Sequence, residues 1–147
     1  TFFMDNVFNH HQHTIDAHGA FYGASGAGAV AVVASSDVAA MAVAALSDPA
    51  THRGQTYVIT GADALTDAQI AAKVGAHLGK AVTYVDLPPE QLAAGMNDSG
   101  VPPFMVEAMV AFEHIKAQGW VAAASPTVEQ VLGRAPLSYD AWLAARG

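Results

Sequence analysis

Short strand-like segments alternate with longer helix-like segments along the chain, and this alternation most limits the folds that it can adopt. Residues 29–33 and 82–87 are apolar runs bounded by turn residues, which is typical of buried strands. Between them, Thr66 and Gln69 form a capping box that predicts a helix ending at Leu78. Strands that alternate with helices predict an α/β fold with a mostly parallel sheet.

Glycine and proline residues mark the ends of the other predicted elements. Gly19, Gly79 and Gly133 follow helix-like segments and are expected to end them, because glycine readily adopts a left-handed conformation. Ser36 or Asp37 is expected to cap the helix that follows. The remaining expectations are a strand at residues 55–60, helices at 3–17, 38–46, 90–96 and 103–118, a short helix ending at Leu132 and a last helix capped by Ser138.

Composition argues against several classes of partner. Six Lys and Arg residues face thirteen Asp and Glu residues, and the resulting formal charge of −7 disfavours nucleic-acid binding. The absence of cysteine removes disulfides, thiolate zinc sites and cysteine nucleophiles. The longest apolar runs, at residues 27–34 and 38–46, are too short to span a bilayer. We therefore expect a cytoplasmic protein with no nucleic-acid or membrane partner.

Three closely spaced glycines, Gly23, Gly26 and Gly28, could be taken for a dinucleotide-binding loop. Such a loop lies between a strand and a helix, so that a pyrophosphate meets the free N–H groups at the helix start. Here an apolar strand follows the glycines, and we interpret the cluster as a turn between two strands. Gly61, after another predicted strand, is not followed by a second glycine in its turn. The sequence therefore predicts no phosphate loop at either position.

Four histidines, His10, His11, His13 and His18, fall within nine residues, with Asp16 among them. Imidazoles beside a carboxylate suit zinc or a related divalent metal. The order His11, His13, Asp16, His18 imperfectly resembles the His-x-His-x-Asp-His motif of metallo-β-lactamase-fold hydrolases, since the last two residues come one position late. Two interpretations stay open. One is a polar helix face with one histidine packed on the core, and the other is a metal-dependent hydrolase of a small apolar ester or lactone.

Five segments are similar, in order and spacing, to segments of one known family. They are residues 1–6 (TFFMDN), 36–39 (SDVA), 55–61 (QTYVITG), 82–88 (VTYVDLP) and 133–136 (GRAP), the last followed by Trp142. Together they resemble the C-terminal half of NmrA-like NAD(P)-binding proteins, which are atypical short-chain dehydrogenases/reductases. The resemblance covers nearly the whole chain.

The resemblance implies a partial Rossmann-like sheet at residues 1–61 joined to a small α/β substrate domain at residues 62–147, as a single unit. It also implies an NAD(P)H-dependent oxidoreductase acting on a small apolar substrate. The cofactor-binding strands would lie upstream of Thr1, so we expect this chain not to bind NAD(P) on its own. Because some members of the family sense NADP and bind regulatory proteins, a non-catalytic regulatory module remains a further alternative.

The resemblance further implies where ligands bind, although it assigns no catalytic residue. Thr1, Phe2 and Phe3 are expected to form only the rim of the cofactor site. The substrate pocket is expected to contain Phe3, Asn6, Asp86, Met96, Phe104 and Met105. Asp86 is included because the carboxyl ends of strands line ligand crevices in open α/β sheets. A truncated parallel sheet exposes an edge and apolar faces, so we also expect a homodimer.

Overall fold

The computed structural model describes residues 2–146, and within them eight helices and four strands follow one another. The helices are α1 (Asn6–His18), α2 (Ser35–Ser47), α3 (Pro49–His52), α4 (Asp67–Leu78), α5 (Pro89–Asp98), α6 (Pro103–Ala117), α7 (Thr127–Leu132) and α8 (Tyr139–Ala144). The strands are β1 (Ala20–Gly23), β2 (Ala29–Ala31), β3 (Ala64–Thr66) and β4 (Thr83–Asp86). The predicted α/β class is confirmed.

The strands of the described chain form two small sheets. β1 pairs with β4 in parallel, so that Gly23 lies opposite Asp86. β2 pairs with β3 in antiparallel fashion, and Phe3 forms an isolated parallel bridge with Val33. Because β1 and β4 are parallel, their carboxyl ends meet at one edge of their sheet, together with the loop that follows β1.

One hydrophobic core holds α1 and α4 against the strands. Ile15 and Val74 are fully buried, and Phe21 and Val30 are only 4% and 1% exposed. Full burial of a side chain of this size contributes about 1.5–3 kcal/mol to folding. α8 packs on α4 and adds Trp142 to the same cluster.

Local sequence signals place several helix ends correctly. The Thr66 hydroxyl accepts a hydrogen bond from the Gln69 backbone N–H (3.2 Å), and the Gln69 side chain accepts one from the Thr66 N–H (2.9 Å). Gly19, Gly79 and Gly133 each adopt the left-handed conformation directly after a helix. The capping box and the three glycine stops are therefore confirmed.

The strand predicted at residues 55–60 is wrong, since this segment pairs with no strand of the described chain. Its side chains bond to other parts of the molecule instead. The Tyr57 hydroxyl lies 2.6 Å from His52 Nδ1, and the Thr60 hydroxyl accepts a hydrogen bond from the Ser125 N–H (2.7 Å). Val58 is 62% exposed. An alternating pattern does not make a strand without a neighbouring strand to bond to.

The start of α1 also differs from the sequence prediction, because the backbone before it makes strand-like hydrogen bonds. The Val33 N–H donates to the Phe2 carbonyl and the Met4 N–H donates to the Val33 carbonyl, both at 3.0 Å. The helix therefore begins at Asn6 rather than at Phe3.

Asp37, one of the two expected caps of α2, has a different role. The helix begins at Ser35 after Ala34, without a side-chain cap. The Asp37 carboxylate is fully buried, accepts a hydrogen bond from the Leu137 N–H (2.8 Å) and lies 2.8 Å from the Arg134 guanidinium. It thus connects α2 to the segment before α8.

Gly61 permits a very close approach of two backbone segments. A Cβ atom at this position would lie 1.9 Å from the Val32 carbonyl oxygen. Only glycine fits here without movement of the buried strand region around Val32. The boundary between the Rossmann-like part and the substrate domain, predicted after residue 61, stays a prediction. Within residues 2–146, no helix is both long and apolar enough to cross a membrane.

Candidate functional site

A cavity of about 490 Å³ opens between α1, α5 and α6, and β1 and the first turn of α4 close its inner side. This volume lies within the range that accommodates small organic ligands. Most of its wall is apolar, including Phe2, Phe3, Val7, Phe21, Ile70, Leu92, Met96, Val101, Met105 and Met109. Apolar and aromatic walls favour a hydrophobic ligand.

Three charged side chains form the polar end of this cavity. Lys116 Nζ donates to Asp67 Oδ2 (2.6 Å) and to Glu113 Oε1 (2.9 Å). The three residues are only 3%, 7% and 6% exposed, respectively. Burial of charges is costly unless they are paired and hydrogen-bonded, and each charge here has an opposite partner. We call Lys116, Asp67 and Glu113 the buried triad.

The loop after β1 is fastened to the buried triad and to β4. Ser25 Oγ donates to Asp67 Oδ2 (2.7 Å). Three successive backbone N–H groups donate to side chains: Ala24 to Glu113 Oε2 (3.1 Å), Ser25 to the Tyr84 hydroxyl (3.0 Å) and Gly26 to Asp86 Oδ1 (2.8 Å). The glycines therefore serve a turn between two strands, as predicted.

Those hydrogen bonds also bear on cofactor binding. A pyrophosphate needs free N–H groups, whereas Ala24 and Gly26 already donate to carboxylates, which would repel a phosphate. This loop therefore does not fit the pyrophosphate of NAD(P).

Tyr84 connects the loop to the sheet. Its hydroxyl donates to Asp86 Oδ1 (2.8 Å) while it accepts from the Ser25 N–H. Burial raises the pKa of Tyr84 well above its ordinary value, and the hydrogen bond to Asp86 adds to the increase. The phenol therefore stays protonated around neutral pH and acts as a fixed donor.

The structure does not support the alternative of a metal site in the histidine cluster. Asp16 accepts hydrogen bonds from Lys80 (2.8 Å) and Gln12 (2.9 Å), and His18 is exposed at the end of α1. Across residues 2–146, no group of three or more His, Asp or Glu side chains is arranged to hold a metal ion. Spacing along a helix explains this result, because His11 and His13 are two residues apart and point in different directions. The hydrolase alternative therefore loses its basis.

His11 is instead packed against the core beside the cavity. Its ring centroid lies 5.1 Å from that of Phe21. Burial lowers the pKa of His11 from 6.5 to about 4, with further lowering from His10, Lys116 and His13 against an opposing effect of Asp67. The imidazole is thus neutral at pH 7, which agrees with the interpretation of one histidine packed on the core.

This lowered pKa predicts a pH dependence of stability. Because the unfolded chain binds the His11 proton first as the pH falls, the folded state is expected to lose stability from about pH 6.5 down to about pH 4. His11→Gln should reduce the slope of unfolding free energy against pH in this window by at most about 1.4 kcal/mol per pH unit. Urea unfolding at several pH values measures this slope. The control is His18→Gln at an exposed position, and equal slopes for the two variants would contradict the prediction.

The structure places three of the six predicted pocket residues in the cavity wall, namely Phe3, Met96 and Met105. The other three do not line it. Phe104 is 69% exposed, Asn6 begins α1, and Asp86 bonds to Tyr84 and the loop. Phe2 and Phe3, expected at the cofactor rim, also line the cavity, and Thr1 lies outside the described residues. The part these residues play in ligand binding stays a prediction.

Sequence reasoning missed the buried triad altogether. One signal was available: Glu113 and Lys116 lie three residues apart in the mostly apolar helix α6, so they share a face. Asp67 comes from a distant part of the chain, and only the fold brings it to Lys116.

No family model matches this chain, but it is similar to several curated oxidoreductases. It is 36% identical to an NAD(P)H azoreductase of Xenophilus azovorans, over 90% of this chain and 46% of the relative. It is 30% identical to an uncharacterized oxidoreductase of Bacillus subtilis, over 99% of this chain and 51% of the relative. It is 32% identical to quinone oxidoreductase 2 of Escherichia coli, over 79% and 40%.

Two solved structures of reductases have a fold similar to that of this chain. An NADPH-dependent quinone oxidoreductase from Escherichia coli superimposes with a TM-score of 0.86 at 26% identity, over 99% of this chain and 52% of that chain. A Citrobacter triphenylmethane reductase complexed with NADP(H) shares the fold, with a TM-score of 0.81 at 21% identity over 95% and 49%. By sequence and fold, this chain is therefore related to NAD(P)H-dependent oxidoreductases. It spans about half the length of the curated relatives that it matches.

Proposed function

We propose that these residues form the C-terminal, substrate-binding portion of an NmrA-like NAD(P)H-dependent oxidoreductase. The observation that carries the proposal is the apolar cavity of about 490 Å³ with charged groups at one end, in a fold shared with reductases. A pocket with mostly apolar walls and a few polar groups is the usual form of a small-molecule site. Its substrate would be a small, conjugated ring compound.

The names of the relatives support this substrate class. They include an azoreductase, a quinone oxidoreductase and a triphenylmethane reductase. Quinones and triphenylmethane dyes are conjugated ring compounds, and flat rings of this kind suit a wall that contains Phe2, Phe3 and Phe21.

We further propose that these residues do not bind NAD(P) without additional chain. In the glycine-containing loop, the amides of Ala24, Ser25 and Gly26 already donate to the Glu113 carboxylate, the Tyr84 hydroxyl and the Asp86 carboxylate, so these three N–H groups are not free for a pyrophosphate. Reduction would then require cofactor-binding residues outside this segment.

Calorimetric titration with menadione, an uncharged naphthoquinone, tests the substrate site directly. Menadione should bind the unmodified chain, and Met96→Trp should weaken binding at least about tenfold, because a larger ring at Met96 fills part of the cavity. Leu46→Trp is the matched control, since Leu46 is 80% exposed on α2. Failure of menadione to bind, or equal affinity in the two variants, would contradict the proposed site.

A parallel titration with NADPH tests the second part of the proposal. No binding is expected up to millimolar NADPH. Micromolar binding would contradict the absence of a cofactor site while leaving the substrate cavity intact.

A further inference from the structure

The buried triad leaves one acceptor and one donor free at the polar end of the cavity. Asp67 Oδ2 accepts from both Ser25 and Lys116, but Asp67 Oδ1 accepts no hydrogen bond from any described residue. Lys116 Nζ donates to Asp67 and Glu113, and its third N–H has no partner within residues 2–146. Both residues line the cavity. Both atoms belong to side chains that are nearly buried, so a ligand group that bonds to them adds hydrogen bonds in surroundings that contain little water.

The formal charge at this end of the cavity is negative. One ammonium, that of Lys116, faces the two carboxylates of Asp67 and Glu113. His11 approaches from α1 and is uncharged at pH 7 because burial lowers its pKa to about 4. Tyr139 lines the cavity from α8, and burial keeps its phenol protonated by raising its pKa. Among the described residues that line the cavity, Lys116 is the only Lys or Arg, and the remaining titratable side chains are Tyr22 and the exposed histidines His10 and His13.

We propose that this cavity selects uncharged aromatic ligands that carry an O–H or N–H group, and that it rejects anionic ligands of the same shape. The ligand donates its O–H or N–H to Asp67 Oδ1 and accepts from the free N–H of Lys116, while its rings lie against the aromatic wall. A hydroxyl or secondary amine matches this pair because it both donates and accepts. An anionic ligand meets two negative charges and one positive charge in surroundings that screen them weakly. This inference rests on the proposed substrate site and defines its chemistry.

Two naphthalene compounds of similar shape test the selectivity. At pH 7, 2-naphthol is uncharged and carries a hydroxyl, whereas 2-naphthoate is an anion. In calorimetric titrations of the full chain, 2-naphthol should bind at least about tenfold more tightly than 2-naphthoate. Equal affinities, or tighter binding of 2-naphthoate, would overturn the proposal.

Two variants assign the effect to the triad. Asp67→Asn removes one negative charge and the free carboxylate oxygen, so it should weaken 2-naphthol binding and strengthen 2-naphthoate binding, which brings the affinity ratio close to one. Glu113→Gln removes a charge but keeps Asp67, so it should strengthen only 2-naphthoate binding. The matched control is Asp140→Asn, whose carboxylate is 68% exposed and pairs with Lys73 outside the cavity. Circular dichroism and thermal melting establish that each variant is folded, and an unchanged ratio in a folded Glu113→Gln protein would contradict the proposal even if Asp67→Asn fails to fold.

The menadione titration separates this inference from the proposed function. Menadione has no O–H or N–H group and tests the cavity alone. Binding of menadione without preference for 2-naphthol would refute the selectivity and leave the substrate site standing. Absence of binding for menadione and both naphthalenes would refute the site itself.

Discussion

Replacement of Lys116 by methionine is expected to lower the free energy of unfolding by about 3–5 kcal/mol. Methionine keeps the length of the side chain but removes the ammonium that lies 2.6 Å from Asp67 and 2.9 Å from Glu113. The two carboxylates would then share one buried region without a cation. Loss of one partner from a buried ion pair is strongly destabilising because the remaining charge is neither hydrated nor paired.

A lysine whose partner carboxylate is exposed provides the control for this experiment. Lys73 lies 2.6 Å from Asp140, but the Asp140 side chain is 68% exposed. Lys73→Met should therefore lower the free energy of unfolding by less than about 1 kcal/mol. Guanidinium unfolding at pH 7 compares the two variants. Similar losses in the two would show that the buried triad contributes no more than a surface ion pair.

Gly61→Ala is the substitution with the second largest expected effect, a loss of about 3 kcal/mol in unfolding free energy. The added Cβ atom would meet the Val32 carbonyl oxygen at 1.9 Å, a separation that the backbone must increase. Val32 is only 2% exposed and belongs to the core, so its backbone cannot move without disturbing the packing around Val30 and Met4.

Gly95→Ala is the matched glycine substitution. Gly95 lies inside α5, and a Cβ atom there would meet nothing within 4 Å. Alanine should therefore stabilise the chain by about 0.4–1 kcal/mol, since it reduces the freedom of the unfolded state. Relative to the unmodified chain, the midpoint of thermal unfolding should fall for Gly61→Ala and rise for Gly95→Ala. A Gly61→Ala protein as stable as the unmodified chain would contradict the close contact.

Features of the fold that depend on neighbouring residues could be predicted from the sequence. The capping box of Thr66 and Gln69 opens α4, and Gly79 ends it, because both signals act through backbone groups within one or two turns. The start of α1 could not be predicted in this way. It depends on hydrogen bonds between Phe2 and Val33, which are distant in the chain.

The candidate site also depends more on contacts between distant residues than on residues close together in sequence. The histidines of α1 are close together in sequence, and this spacing was the basis of the metal-site hypothesis. In the folded chain, His11 packs on Phe21 and Asp16 forms an ion pair with Lys80. The buried triad joins Asp67 to Lys116 across 49 residues of sequence separation. Only tertiary contacts create that pairing, so spacing alone could not reveal it.

The cavity combines a rigid end with an adaptable one. Hydrogen bonds fix the buried triad and the loop after β1 in place, whereas the apolar part of the wall contains Met96, Met105 and Met109, whose unbranched thioethers adjust to different shapes. Ligands that bind here should consequently vary widely in ring size and outline while sharing one kind of head group. In a screen of chemically diverse compounds, the bound compounds should then place the same polar atom at the buried triad and differ in the rest of their structure.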